Sequence, residues 1–184
     1  NNYTEFDKLD KHRVCGIKLF MGSSTGNMLV DKMNSLLNIF NGTDMLIAAH
    51  CEDQETIKNN IEKYKQKYKG ADDIPVSAHP SIRSVPACYA SSELAVRLAK
   101  IAGARLHILH VSTAKELQLF SDEPLANKNI TAEACVAHLL FTLTHYNSLG
   151  ARIKCNPAVK RKTDREALRT AVNSGLIDVI ATDH

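Results

Sequence analysis

Cys15-Gly-Ile-Lys-Leu-Phe-Met21 is an apolar, strand-like run with one lysine, Lys18, in its middle. A lysine is costly to bury in such a run unless something neutralises or uses it. Three more apolar runs end in metal-ligand residue types: Leu46-Ile-Ala-Ala-His50, Leu106-His-Ile-Leu-His110 and Val179-Ile-Ala-Thr-Asp183-His184. One such run means little. Four of them in 184 residues point to strand ends converging on a single site. A lysine amine that has taken up CO2 is a carbamate, an anion with two oxygens. That group can bridge two metal ions, with the histidines and the aspartate completing the shell.

Strand and helix signals alternate around these runs. Residues 15–21 read as a strand, followed by the loop Gly22-Ser-Ser-Thr-Gly26. The spacing of Met33, Leu36, Leu37 and Phe40 predicts a helix over 31–40. A strand at 46–51 and a charged helix at 53–68 come next, then a long loop over 70–85 with Pro75, His79 and Pro80. Pro86 opens a helix that runs through residue 102 and ends at Gly103. A strand at 106–111 leads to a helix at 114–120, capped by Ser112 or Thr113. Then come a strand at 130–135, a short apolar segment from His138 to Leu143 and a brief strand at 151–155. Thr163 or Asp164 caps a helix to residue 174, and a strand at 178–182 follows.

Repeated strand-loop-helix units with apolar strands indicate a parallel sheet covered by helices. A doubly wound sheet and a (β/α)8 barrel both place sites at the C-terminal ends of strands. The barrel is better suited to bringing four strands to one point. No GxGxxG fingerprint follows any strand, which weakens a dinucleotide-binding reading. The expected fold class is therefore α/β, of the (β/α)8 TIM-barrel type.

Composition narrows the function. Hydrophobic residues make up 44% of the chain and charged residues 23%, which fits a packed domain. The net charge is only +3, and the lysines from Lys58 to Lys69 are interrupted by Glu62, as on a solvated helix face. A nucleic-acid partner is not expected without a concentrated basic patch. The five cysteines form no CxxC pair and suit free thiols in a reducing compartment. No signal peptide or membrane-length apolar run is present, so no membrane partner and a cytoplasmic setting are expected. The chain starts at Asn1 without methionine and stops at His184 directly after a strand, which reads as a fragment.

Each candidate residue has a plainer reading when taken alone. Lys18 could snorkel to the surface. His50, His107 and His110 could be hydrogen-bonded core histidines, Asp183 a helix cap, and Glu133 a partner for backbone groups. The joint pattern outweighs these separate readings. Imidazole and carboxylate donors suit zinc or another borderline divalent ion. Two metals bridged by a carboxylate-like group can deprotonate water and polarise a carbonyl. An aspartate beside them can take the proton of that water and pass it to a leaving nitrogen. The chemistry implied is hydrolysis of an amide-like bond.

These segments together resemble the dihydroorotase family, within the amidohydrolase superfamily, over essentially the whole chain. Gly16-Ile-Lys-Leu-Phe-Met-Gly-Ser-Ser-Thr-Gly26 is similar to the family's carbamylated-lysine strand. Ala48-Ala-His-Cys-Glu-Asp53 and His107-Ile-Leu-His-Val-Ser-Thr113 resemble its two single-histidine strands. Ile130-Thr-Ala-Glu-Ala-Cys135 resembles its TAE strand, Lys154-Cys-Asn-Pro157 its Asn-Pro segment, and Ala181-Thr-Asp-His184 the start of its TDHAPH signature.

The resemblance implies that Lys18, as its carbamate, bridges two zinc ions. It implies that His50 and His110 ligate the more exposed zinc, and that Asp183 ligates the other and acts as catalytic acid and base. Asn156 would contact the pyrimidine ring. His138 falls where the family often has Pro-His-His, but here the residues are Val136-Ala-His138. The family's first-strand HxH pair and substrate arginine do not occur in this chain. The expectation is thus one partial domain over 1–184, an incomplete barrel covering roughly the fourth to eighth strands and inactive alone. The implied activity is reversible hydrolysis of dihydroorotate to N-carbamoyl-aspartate in pyrimidine biosynthesis, with a homodimer left open. Rival readings are a hydantoinase, dihydropyrimidinase or allantoinase, and an inactive amidohydrolase-like assembly partner. The Gly22–Gly26 loop and the Lys154–Pro157 segment favour dihydroorotase.

Overall fold

The structure is a computed structural model and describes residues 3–22, 30, 32–70 and 72–184. Among the described residues five strands carry the fold: β1 (Ile17–Phe20), β2 (Ile47–His50), β3 (Leu106–Ile108), β4 (Ile130–Cys135) and β5 (Val179–Ala181). All neighbouring pairs are parallel, and the strands follow one another in chain order across the sheet. A doubly wound sheet reverses its order at a switch point. No reversal occurs among these strands, so the sheet is an arc of a singly wound barrel.

The register divides every strand into two rows. Leu19, Ala49, Ile108 and Ala132 stand side by side, as do Ile17, Ile47, Leu106 and Ile130. These rows face the helices, because side chains on a strand alternate between faces and parallel partners share one. They pack with Leu36 and Phe40 of helix α1 (Met33–Asn41) and Leu168 and Ala171 from near residue 170, all buried in one cluster. Lys18, Ala48, His107 and Thr131 form a row on the opposite, concave face, and Phe20 and His50 form the next.

Two helix ends follow directly from local chemistry. Helix α2 (Gln54–Lys67) starts with the Asp53 carboxylate accepting from the Thr56 amide at 2.7 Å. Its lysines lie on the solvent side, and Lys65 pairs with Glu62 at 2.8 Å. The short helix α3 (His79–Ile82) precedes α4 (Val85–Ala102), which ends at Gly103 with φ +65, a left-handed conformation that glycine adopts freely. Helices α5 (Val136–Leu140), α6 (Tyr146–Leu149) and α7 (Lys162–Asn173) follow; the cap of α7 is Arg161, so Thr163 and Asp164, expected as caps, lie inside its first turn. Asp164 in α7 accepts from the Arg161 amide at 3.2 Å and from the Ala114 amide at 2.9 Å, tying the loop after β3 to α7.

Several sequence expectations need correction. The strand expected over 106–111 stops at Ile108. The helix expected at 114–120 is a single 3-10 turn, Glu116–Leu119, because Glu116 turns inward to bond Ser92 at 2.7 Å and Thr113 at 2.8 Å. The brief strand expected at 151–155 is a 3-10 turn, Gly150–Ile153, whose Ile153 packs with Tyr146 and Val159 in a small separate cluster. The long loop over 70–85 contains a 3-10 turn (Val76–Ala78) and α3. The apolar segment from His138 lies partly in α5. Most of the Gly22–Gly26 loop, residues 23–26, lies outside the described residues. Among the described residues, no helix is long and apolar enough to cross a membrane.

Leu106 is fully buried at the centre of the helix-facing row. Its replacement by alanine removes buried methyl groups and leaves a cavity. Leu106→Ala is expected to destabilise the protein by about 2–5 kcal/mol, measured by urea unfolding.

Candidate active site

His50 is the last residue of β2 and pairs in register with Phe20, so its ring stands on the concave face with Lys18. His110 reaches the same place by a different route. It lies two residues past Ile108, which faces the helices, so extended backbone would send it to the wrong side. Instead His110 has φ +41, a left-handed conformation uncommon for a residue with a side chain. The turn brings its ring edge-on to His50, with centroids 4.6 Å apart and planes at 76°. His50 Nδ1 and His110 Nε2 then lie 2.9 Å apart. The His110 backbone amide donates to Glu133 Oε1 at 3.2 Å, which braces the turn.

The other nitrogen of His50 is also engaged. Nε2 lies 3.0 Å from Glu52 Oε2, and the Arg83 guanidinium pairs with that same oxygen. Glu52 is fully buried. Burial pushes its carboxyl up, but the His50 hydrogen bond and the Arg83 charge outweigh this and hold it below the usual carboxylate value. Gly22 contributes by having no side chain, since a Cβ there would collide with the Glu52 carbonyl oxygen. The end of β1 can therefore lie against the end of β2, with the Met21 amide bonded to the His50 carbonyl at 2.9 Å.

Lys18 stands exposed on the open concave face, not buried as its apolar surroundings suggested. Its ammonium sits 4.8 Å from the centre of the Phe20 ring. Loss of water against the sheet lowers its amine below the ordinary lysine value, despite the opposing pull of Asp183 and Glu133. Asp183 follows β5, is exposed, and has φ +52. Thus two of the four candidate ligands sit in left-handed backbone, where strain often marks function.

The remaining candidates are placed less tellingly. Asn156 is exposed. His107 is occupied by Thr131 at 2.8 Å and Glu133 at 3.3 Å, as a core histidine would be. His138 is buried, with Nε2 bonded to the Pro157 carbonyl at 2.9 Å and no hydrogen-bond partner at Nδ1. Burial pushes its imidazole down to about 4. His110 is held well below the usual histidine value by burial first and the neighbouring His50, His138 and Lys18 charges second. Burial thus favours the neutral form of both rings, the form in which histidine binds metal.

A tetrahedral zinc shell with Zn–N bonds of about 2.0–2.1 Å has an N–N edge of roughly 3.3 Å. The 2.9 Å separation of His50 Nδ1 and His110 Nε2 is close to such an edge. Among the described residues, no group of three His, Cys, Asp or Glu side chains converges on one metal position. The described residues thus supply an adjacent pair of donors, with Lys18 and Asp183 near enough for their charges to interact. Sequence reasoning passed over Glu52 and Arg83. In Cys51-Glu-Asp53 an acid after a strand reads as a helix cap, and only Asp53 is one.

Known proteins resemble this chain closely. A dihydroorotase from Halalkalibacterium halodurans is 32% identical over 166 residues, covering 89% of this chain and 36% of that protein. One from Staphylococcus epidermidis is 30% identical over 183 residues, covering 98% of this chain and 41% of that protein. The chain belongs to the dihydroorotase family. It spans 36% to 41% of the length of these two relatives. No family model matches the chain. Among solved structures, an L-hydantoinase from Arthrobacter aurescens superposes with a TM-score of 0.88 at 24% identity, covering 100% of this chain and 41% of that one. A D-hydantoinase from Thermus sp. gives 0.78 at 19% identity, covering 92% and 38%. At such identities the likeness speaks for the fold, which is a partial TIM barrel.

The depressed His138 has a thermodynamic consequence. Between about 4 and the ordinary 6.5, the unfolded chain binds a proton that the folded chain excludes. Stability should therefore fall as pH drops through this window. His138→Gln should flatten that fall by up to about 1.4 kcal/mol per pH unit, read from urea unfolding of both proteins across the window.

Proposed function

We propose that the protein carrying this chain is a metal-dependent cyclic amidohydrolase that interconverts dihydroorotate and N-carbamoyl-aspartate. Family membership supports the reaction class. The observation that carries the metal reading is the meeting of His50 Nδ1 and His110 Nε2 across adjacent strands, on the face that also holds Lys18.

In this reading His50 and His110 would hold one zinc ion, and Lys18, as its carbamate, would act with Asp183 in holding a second. The bound ions would supply an acidified water and a polarised carbonyl. Only a neutral amine adds CO2, and the lowered Lys18 amine favours that form. The Asp183 carboxylate takes a proton from the attacking water. As the water oxygen joins the ring carbonyl carbon and the amide C–N bond breaks, Asp183 returns that proton to the departing nitrogen. Cyclisation runs the same transfers in reverse. Asn156 hydrogen-bonds the pyrimidine ring. The cytoplasm is the proposed setting.

The test uses the full-length protein with dihydroorotate, and with hydantoin and dihydrouracil as competing substrate classes. Hydrolysis of dihydroorotate is the expected preference, and preference for the other two rings would replace this reading with a hydantoinase. Asp183→Asn should lower kcat by about 10²–10⁴-fold. Lys18→Ala should lose activity and metal, with partial recovery on addition of short carboxylates. Full activity of Lys18→Ala without any additive would remove the carbamate from the account.

A further inference from the structure

Glu52 lies two residues past His50, so it faces the site without belonging to the ligand set proposed above. It is fully buried, and its Oε2 receives both His50 Nε2, at 3.0 Å, and Arg83. An ionised carboxylate can only accept hydrogen bonds, so the proton of this contact belongs to His50 Nε2. In a neutral ring the other nitrogen, Nδ1, is then bare. That atom faces His110 Nε2 at 2.9 Å, so His110 must donate there. Without metal, donation from Nε2 leaves His110 Nδ1 bare in its turn, and Nδ1 is the buried atom that has no hydrogen-bond partner; a metal at Nε2 would require that proton to move to Nδ1. Each link fixes the next, from Arg83 through Glu52 and His50 to His110.

We infer that Glu52, clamped by Arg83, is a positioning residue that fixes His50 as its Nε2–H tautomer and turns the Nδ1 lone pair toward His110. The inference rests on the reading of His50 as a metal ligand and extends it to the residues behind. A carboxylate behind a metal-binding histidine fixes ring orientation and raises ligand basicity. Arg83 pairs with the same Oε2 and holds the carboxylate in place behind the ring.

The experiment measures two properties of the full-length protein. One is the tautomer of His50 in metal-free protein, read from 15N shifts and two-bond 1H–15N couplings of the ring. The other is zinc affinity, by competition with a chromophoric chelator. In the wild type, His50 should be the Nε2–H tautomer. In Glu52→Gln the amide can donate as well as accept, so both tautomers should appear and zinc should bind about 10–100-fold more weakly. Glu52→Gln/Arg83→Gln removes both charges of the pair together and should show the same two changes. A simple structural brace would lower stability while leaving the tautomer and the affinity of the folded protein alone. An unchanged Nε2–H tautomer in both variants, or a His50 protonated on both nitrogens in the wild type, overturns the inference. If zinc binding of the wild type is indifferent to His50→Ala, the metal reading fails by itself, and the tautomer measurement still decides the role of Glu52.

Discussion

The parallel register that sets Phe20 beside His50 and Lys18 beside Ala48 is the constraint on which the rest depends. It commits one row of each strand to the helices and the other to the concave face. Leu19, Ala49, Ile108 and Ala132 make the first commitment expensive to reverse, because a slip of one residue would expose all of them. The same slip would bury Lys18 among apolar side chains. Stability and site geometry are thus enforced by one alternation.

Register alone does not complete the site. β3 ends at Ile108, and its concave-facing residue is His107, whose ring is taken up by Thr131 and Glu133. His110 joins His50 only because its backbone turns into the left-handed region. Glu133 serves both histidines, accepting from the His110 amide and lying beside the His107 ring. Behind His50, the buried Glu52, paired with Arg83, contacts the ring from the other side. The chemistry stands on the strands, while its orientation comes from charges held just beneath them.

Much of this was legible in the sequence. Alternation and apolar runs located all five strands, and glycine and proline signals placed the ends of α4. A lysine inside one apolar run and histidines at the ends of two others pointed to Lys18, His50 and His110, which share the concave face. Three features were not legible, for separate reasons. Spacing along a strand cannot show a left-handed turn, so parity alone would have chosen His107 over His110. Glu52 was hidden by its neighbour Asp53, whose capping role accounts for an acidic pair after a strand. Residues 151–155 have strand-like composition, yet Ile153 finds burial within a local cluster and needs no partner strand.

The central claim is that His50 and His110 converge on a metal, and not merely on one another. The most direct measurement is anomalous diffraction at the zinc edge from crystals of the full-length protein grown with zinc and bicarbonate. The account predicts an anomalous peak between His50 Nδ1 and His110 Nε2, about 2.0–2.1 Å from each, with a carbamate on Lys18 reaching it. A zinc-loaded crystal in which the two histidines keep their direct hydrogen bond, with no peak between them, would contradict it.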